Sequence, residues 1–146
     1  WNELVDFAAW KEWNAFIPSV TGTLRVGADL RITVSPPGSR SMTFVPRVFS
    51  VEPGEKIVWG GSFLLVAYRG DHAFFLEPLS GGGTRFRQRE RFRGPMVLFM
   101  GGMIEATELG YRQMNEAFKR RVEGRRASAR PGRGDGLGAA ARERAT

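Results

Sequence analysis

Between Pro95 and Glu123 apolar and semi-polar residues recur at Met100, Ile104, Thr107, Tyr111, Met114, Phe118 and Val122, in steps of three and four. That is the period of a helix with one buried face. The intervening positions hold Glu105, Glu108, Arg112, Glu116, Lys119 and Arg120. Of these, Glu108–Arg112 and Glu116–Arg120 are i,i+4 pairs in the favoured order, each contributing about 0.2–0.5 kcal/mol. Pro95 suits a first helical turn, where its missing N–H is not needed, and Gly124 suits the stop. The pattern predicts one long C-terminal helix, roughly 40 Å at about 1.5 Å per residue. Gly101 and Gly102 interrupt it, each disfavoured by about 1 kcal/mol relative to alanine. They mark a kink, a late start near Met103, or room for a ligand beside the helix.

Ahead of the helix the pattern changes to period two. Ala28–Ser35 alternates cleanly, with Leu30, Ile32 and Val34 on one face, as a half-buried strand does. Further strands are predicted at Thr23–Val26, Met42–Val51, Lys56–Val66 and Asp71–Glu77. Pro36-Pro37-Gly38 and Glu52-Pro53-Gly54-Glu55 form turns between them. Pro46 makes the Met42–Val51 strand an edge or a bulge, and Gly60-Gly61 suggests a bulge in the next. After the loop Pro78–Gly83, Thr84–Arg93 has the strictest alternation in the chain. Thr84, Phe86, Gln88, Glu90 and Phe92 face one way and Arg85, Arg87, Arg89, Arg91 and Arg93 the other, which fixes the register. Near the start, Trp1, Leu4 and Val5 share a helical face. Trp10, Trp13 and Phe16 then crowd a short helix or turn closed by Pro18, with Asn14 as a cap or turn residue. A sheet wrapped around one long helix is the α+β architecture these elements imply.

Composition narrows the chemistry. With 146 residues and 42% hydrophobic content the chain holds one domain with a core of its own. No stretch approaches ~18 apolar residues, so no membrane span is predicted. The absence of cysteine and a single histidine exclude disulfides, thiolate chemistry and His-rich metal sites. Neither a metal nor a cofactor is expected. No signal peptide precedes the first helix, and a cytoplasmic location is the expectation. The net charge of +7 is uneven. Lys119–Thr146 carries nine basic residues against three acids, leaving the rest nearly neutral. Residues 125–146 are Arg, Gly and Ala with almost no bulky apolar side chain, a composition that predicts a disordered tail after a domain spanning 1–124. The basic tail suits loose attraction to nucleic acid or anionic membrane. No RNA-binding motif or stacking aromatics accompany it, and no specific nucleic-acid partner is expected.

The order of several short motifs resembles a known family. These are Trp10-x-x-Trp13-Asn14-x-Phe16, Gly22-x-Leu24-x-Val26-Gly27, Val51-Glu52-Pro53-Gly54, Trp59, and Gly70-x-His72-x-Phe74-x-Leu76-x-Pro78. Gly83-Thr84-Arg85-Phe86-x-x-x-Glu90-x-Phe92-x-Gly94 and Met114-Asn115 follow. Together, from Trp1 to about Glu123, they resemble the START/Bet v 1-like superfamily (SRPBCC), in its polyketide cyclase/dehydrase and lipid transport branch. The resemblance implies a helix-grip fold: a curved antiparallel sheet around the C-terminal helix, with an apolar cavity between. Family members usually open with a strand ahead of the helix containing Trp1. That strand is missing from this sequence, by truncation or loss, and without it a neighbouring strand is an exposed edge.

In such a fold the concave sheet face lines the cavity. Its polar candidates are His72, Gln88 and Glu90. His72 and Glu90, meeting across neighbouring strands, suit a general acid–base pair, with desolvation raising the carboxylate, or equally a hydrogen bond that holds the sheet. Trp10, Trp13, Phe16, Trp59, Phe63 and Phe74, with Met100, Ile104 and Tyr111 of the helix, are candidate walls or core fillers. The arginine face of Thr84–Arg93 suits either phosphate or solvent, with arginine stems covering the sheet. Gly81-Gly82-Gly83 opens no helix and is a hairpin loop instead of a phosphate loop. The function these features imply is binding of a hydrophobic small molecule, lipid or polyketide-like. The alternatives are an aromatase/cyclase-type enzyme and a co-chaperone-like interaction module.

Overall fold

The computed structural model describes residues 1–63 and 67–128, with Phe63 described by its backbone alone. Three short helical turns open the chain: α1 (Asn2–Val5), a 3-10 turn (Phe7–Ala9) and α2 (Trp10–Trp13). Among the described residues seven strands follow: β1 (Ser19–Thr21), β2 (Arg31–Val34), β3 (Met42–Phe44), β4 (Arg47–Glu52), β5 (Lys56–Phe63), β6 (Tyr68–Pro78) and β7 (Thr84–Arg93). A 3-10 turn (Pro95–Phe99) leads into the long helix α3 (Gly101–Ser128). Every strand pair is antiparallel, in two sheets ordered β1-β2-β3 and β4-β5-β6-β7. Backbone hydrogen bonds from Leu30 to Pro46 and from Val48 to Ala28, with a bridge between Asp29 and Arg47, join them into one curved surface.

Pro46 explains the division. The stretch expected as a single strand, Met42–Val51, breaks at Val45-Pro46 into β3 and β4, because proline has no N–H to continue a ladder. The bulge expected at Gly60-Gly61 lies elsewhere. Lys56–Phe63 pairs without a break against β6, and the irregularity is in β4, between Val48 and Ser50. Gly60 is required for close approach instead: a Cβ there would sit 2.5 Å from an Asp71 carboxylate oxygen and 2.6 Å from the Gly70 carbonyl. Thr23–Val26 is a turn and no strand; the first strand is Ser19–Thr21, immediately after Pro18.

The helix departs from expectation at both ends. Gly101 and Gly102 open α3 without interrupting it, and their missing side chains face open space away from any cavity. Gly124, expected as the stop, lies inside a helix that runs to Ser128. Residues 125–128 of the expected tail are therefore helical, and 129–146 lie outside the described residues. Gly94 shapes the approach to α3. Its φ of 110° is reserved for glycine, and a Cβ would meet the Ala67 carbonyl at 2.4 Å.

The core gathers Leu4, Trp10, Ile17, Leu30, Ile57, Phe74 and Met114, all fully buried. Trp10 is its hub, with Nε1 donating to the Leu4 carbonyl at 3.0 Å and its ring edge-on to Phe7 and Phe74. Asn14 is a turn residue: its side-chain oxygen accepts the Ile17 N–H at 2.9 Å. Arg121 of α3 donates to Glu3 at 2.9 Å and to Glu12 at 2.7 Å, and Arg125 also donates to Glu3, so α3 is tied to both N-terminal helices.

Candidate functional site

The strict alternation of β7 places its two faces as the sequence requires. All five arginines are exposed, while Phe86, Gln88, Glu90 and Phe92 turn inward. On the outer face Arg87 donates to Glu77 at 2.6 Å and lies 4.8 Å over the Phe75 ring. That contact accounts for Phe75, the apolar residue on the outer face of β6. Inside, strand register sets His72 directly opposite both Trp59 and Glu90. The three side chains form one row across β5, β6 and β7.

Between this face and α3 lies a cavity of about 300 Å³. The first sheet contributes Ile32, Val34, Met42 and Phe44, and the long helix contributes Met100, Met103, Ile104, Thr107 and Tyr111. Gly61 and Gly70 leave bare backbone on the sheet side, and Phe16 and Phe92 add aromatic walls. Of the chain's five methionines, Met42, Met96, Met100 and Met103 line it. Unbranched and polarizable, methionine adapts to irregular ligands. No described helix is long and apolar enough to cross a membrane. Among the described residues no group of three His, Asp or Glu gathers to hold a metal ion.

One polar cluster interrupts the apolar wall. Glu90 Oε2 lies 2.7 Å from His72 Nδ1 and accepts the Tyr111 hydroxyl at 2.5 Å. His72 is only 4% exposed. It stacks on Tyr111 at 4.8 Å and meets Phe74 edge-on at 4.3 Å. The other Glu90 oxygen and the Tyr68 hydroxyl both lie over Gly70, 3.1 and 3.2 Å from where a Cβ would stand. Burial, then the Glu90 charge, pushes the Tyr111 phenol well above its ordinary range, and the same two causes raise Tyr68. These are the chain's two tyrosines, so an alkaline titration of the folded protein is expected to show no phenolate absorbance near pH 10, where free tyrosine ionises. An acid whose pKa is raised by folding stabilises the fold fully below its unfolded pKa and loses that contribution as pH rises toward the folded value. The phenolate signal should therefore appear together with unfolding, above about pH 10. A separate phenolate step in still-folded protein would contradict the burial of Tyr111 and the partial burial of Tyr68 beside the Glu90 charge.

Of the side chains selected from sequence, Phe16, Trp59, His72, Glu90, Met100, Ile104 and Tyr111 line the cavity. Trp10 and Phe74 sit in the core behind it, and Trp13 packs its ring on Phe118 at 5.3 Å. Gln88 points inward but donates to Asn115 of α3 at 2.6 Å. Phe63 has its backbone in β5, and its side chain lies outside what is described. Sequence reasoning missed Tyr68, because the strand containing it was predicted to start at Asp71. It also missed Phe92, although Phe92 shares the alternating face of Glu90. Gly110 was unmarked, yet a Cβ there would come within 2.2 Å of the Phe16 ring.

A curved antiparallel surface closed by a long helix over an internal cavity defines the helix-grip fold. Within it, the chain belongs to the polyketide cyclase/dehydrase and lipid transport family, whose model matches residues 1–123. Among solved structures, a Nitrosomonas europaea protein is 18% identical with a TM-score of 0.58, covering 84% of this chain and 86% of its own. A Rhodobacter sphaeroides protein is 17% identical with a TM-score of 0.56, covering 82% of each chain. A Staphylococcus aureus protein described as of unknown function is 10% identical, with a TM-score of 0.56 and coverage of 84% and 85%. At these identities the likeness concerns the fold alone. No curated protein matches the sequence.

Proposed function

We propose that the protein binds a hydrophobic small molecule, lipid or polyketide-like, in the cavity between the sheet and α3. The cavity itself carries this reading. A well-packed domain leaves few voids larger than a water molecule, whereas this one holds about 300 Å³ lined by Phe16, Trp59, Phe92 and four methionines. A volume of that order, mostly apolar with a few convergent polar groups, is typical of ligand sites. Family membership supports the same reading. A second reading, an aromatase/cyclase-type enzyme, is favoured by one observation: the 2.7 Å contact of Glu90 with His72 Nδ1, which is how a carboxylate orients a histidine base.

Native mass spectrometry of the purified chain tests both. A co-purified apolar molecule is expected on the wild type, and markedly less on Thr107→Phe, whose ring would occupy the helix side of the cavity. A bound species that loses the mass of one water on incubation is the mark of the enzyme. If Thr107→Phe, still folded, retains the wild-type load, the ligand lies elsewhere and the cavity reading fails.

A further inference from the structure

We infer that the ligand carries a protonated amine on its apolar body, and that Oε1 of Glu90 holds the ammonium group. This inference rests on the cavity being a ligand site. Among the described lining residues Glu90 is the only acid, and neither lysine nor arginine stands among them. Its charge is therefore set in an apolar wall with no lysine or arginine of the cavity to face it.

The two oxygens of Glu90 differ. Oε2 takes both internal donors, His72 Nδ1 at 2.7 Å and the Tyr111 hydroxyl at 2.5 Å. No described residue donates to Oε1, and 15% of the Glu90 side chain is accessible where it lines the cavity. The carboxylate thus reaches the ligand space, whereas Nε2 of His72 is sealed off and has no partner. That sealing bears on the charge. A second proton on the ring would be buried with nothing to accept it, so His72 gives Glu90 a hydrogen bond and leaves it negative.

The surroundings suit a cation. Oε1 and the Tyr68 hydroxyl converge on the bare backbone of Gly70, 3.1 and 3.2 Å from where a Cβ would stand. Gly70 is paired with Gly61 on one side and Phe92 on the other, so small residues leave room beside the carboxylate. Trp59, Phe16 and Phe92 line the same space, and aromatic rings attract an ammonium group through their electron-rich faces. A tertiary amine matches these features best. Its single N–H serves Oε1, and its alkyl groups lie against aromatic and methionine walls. A ligand carboxylate would meet the Glu90 charge with no cation to offset it, and a neutral ligand would leave that charge unmatched.

The probes are N,N-dimethyl-2-naphthylmethylamine, a cation at neutral pH, and 2-isobutylnaphthalene, which has the same shape with carbon in place of nitrogen. Calorimetric titration of the intact chain is expected to show both binding to the wild type. Glu90→Gln should weaken the amine about tenfold or more, the size of a charge-assisted hydrogen bond, and leave the hydrocarbon nearly unchanged. Retained hydrocarbon binding shows that the variant is folded. The wild type gives a second reading that needs no variant. With 15N-labelled amine, NMR should find the bound nitrogen keeping its proton to a higher pH than the free one. A neighbouring carboxylate favours the ammonium, whereas apolar burial alone disfavours it. The inference is overturned, and the cavity reading left standing, by any of three results: a wild type that binds the hydrocarbon but not the amine, a folded Glu90→Gln that binds the amine undiminished, or a bound amine that gives up its proton more readily than the free one. If neither probe binds the wild type, the cavity reading falls, and this inference with it.

Discussion

Replacing Gly110 by alanine is expected to destabilise the protein by about 2 kcal/mol, although alanine is the better helix former by about 1 kcal/mol. At Gly110 the long helix comes so close to the sheet side that a Cβ would stand 2.2 Å from one ring carbon of Phe16 and 2.4 Å from the next. Phe16 cannot step aside freely. Its ring is buried and meets Tyr111 edge-on at 4.9 Å. Either the helix lifts, uncovering Met114 and Phe118, or the ring is driven into the cavity it lines. Both routes loosen packing, and the second also removes ligand volume, so binding should weaken along with stability. In a domain of this size the change corresponds to a fall in Tm of roughly 5–10 °C. Gly102→Ala is the control. Its Cβ meets nothing within 4 Å, so the substitution should be neutral or stabilising. A Gly110→Ala variant that melts at or above the wild-type temperature would show that the approach of α3 to Phe16 is wrong.

Trp10→Ala is expected to be more costly still, about 3–5 kcal/mol as for other buried aromatics. Trp10 is completely buried, contacts Phe7, Trp13, Trp59 and Phe74, and satisfies its own N–H on the Leu4 carbonyl. Its removal leaves a cavity and an unpaired carbonyl in the same place. Trp10→Phe should recover much of the packing but not the hydrogen bond, and fall between the two. Urea unfolding followed by circular dichroism checks the series. The midpoints should fall in the order wild type, Trp10→Phe, Trp10→Ala, with the slope nearly constant. A Trp10→Ala variant as stable as the wild type, yet unable to take up ligand, would return Trp10 to the cavity wall.

The contrast between Trp10 and Trp59 shows where sequence reading reaches its limit. Both are large, apolar and flanked by strand or turn signals, and periodicity assigns each to a buried face. Whether a buried aromatic touches an empty space or another side chain depends on which elements stand opposite, and that is set by register across three strands. The residues that strict alternation located, Glu90 on β7 and Met100, Ile104 and Tyr111 on α3, do line the cavity. Glycine was the least legible residue. Gly101 and Gly102 stand out in the sequence as a pair but face open space, whereas Gly110, an isolated glycine in a good helical sequence, is required by contact with a residue 94 positions away. The propensity cost is local and the packing reason is not. Gly124 misled for the same reason. The end of α3 is held by Arg121 and Arg125, which bond to side chains near the start of the chain.

Those ion pairs bear on the order in which the protein is made. They join residues 109 to 122 apart in sequence, and chains emerge from synthesis amino end first, at about 5–20 residues per second. The aromatic turn around Trp10 and Trp13 is therefore complete many seconds before Arg121 exists. Through that interval Glu3 and Glu12 have no arginine of α3 to bind, and Trp13 lacks Phe118. The strands form in the meantime, each beside its sequence neighbour, so most of the sheet needs only short loops to close. Joining α3 to the helical turns that hold Glu3 and Glu12 is a late event of high contact order. While the chain is being made, Trp10 can therefore be covered by Trp59 and Phe74 of the sheet, whereas the face of Trp13 that packs on Phe118 stays uncovered until α3 arrives.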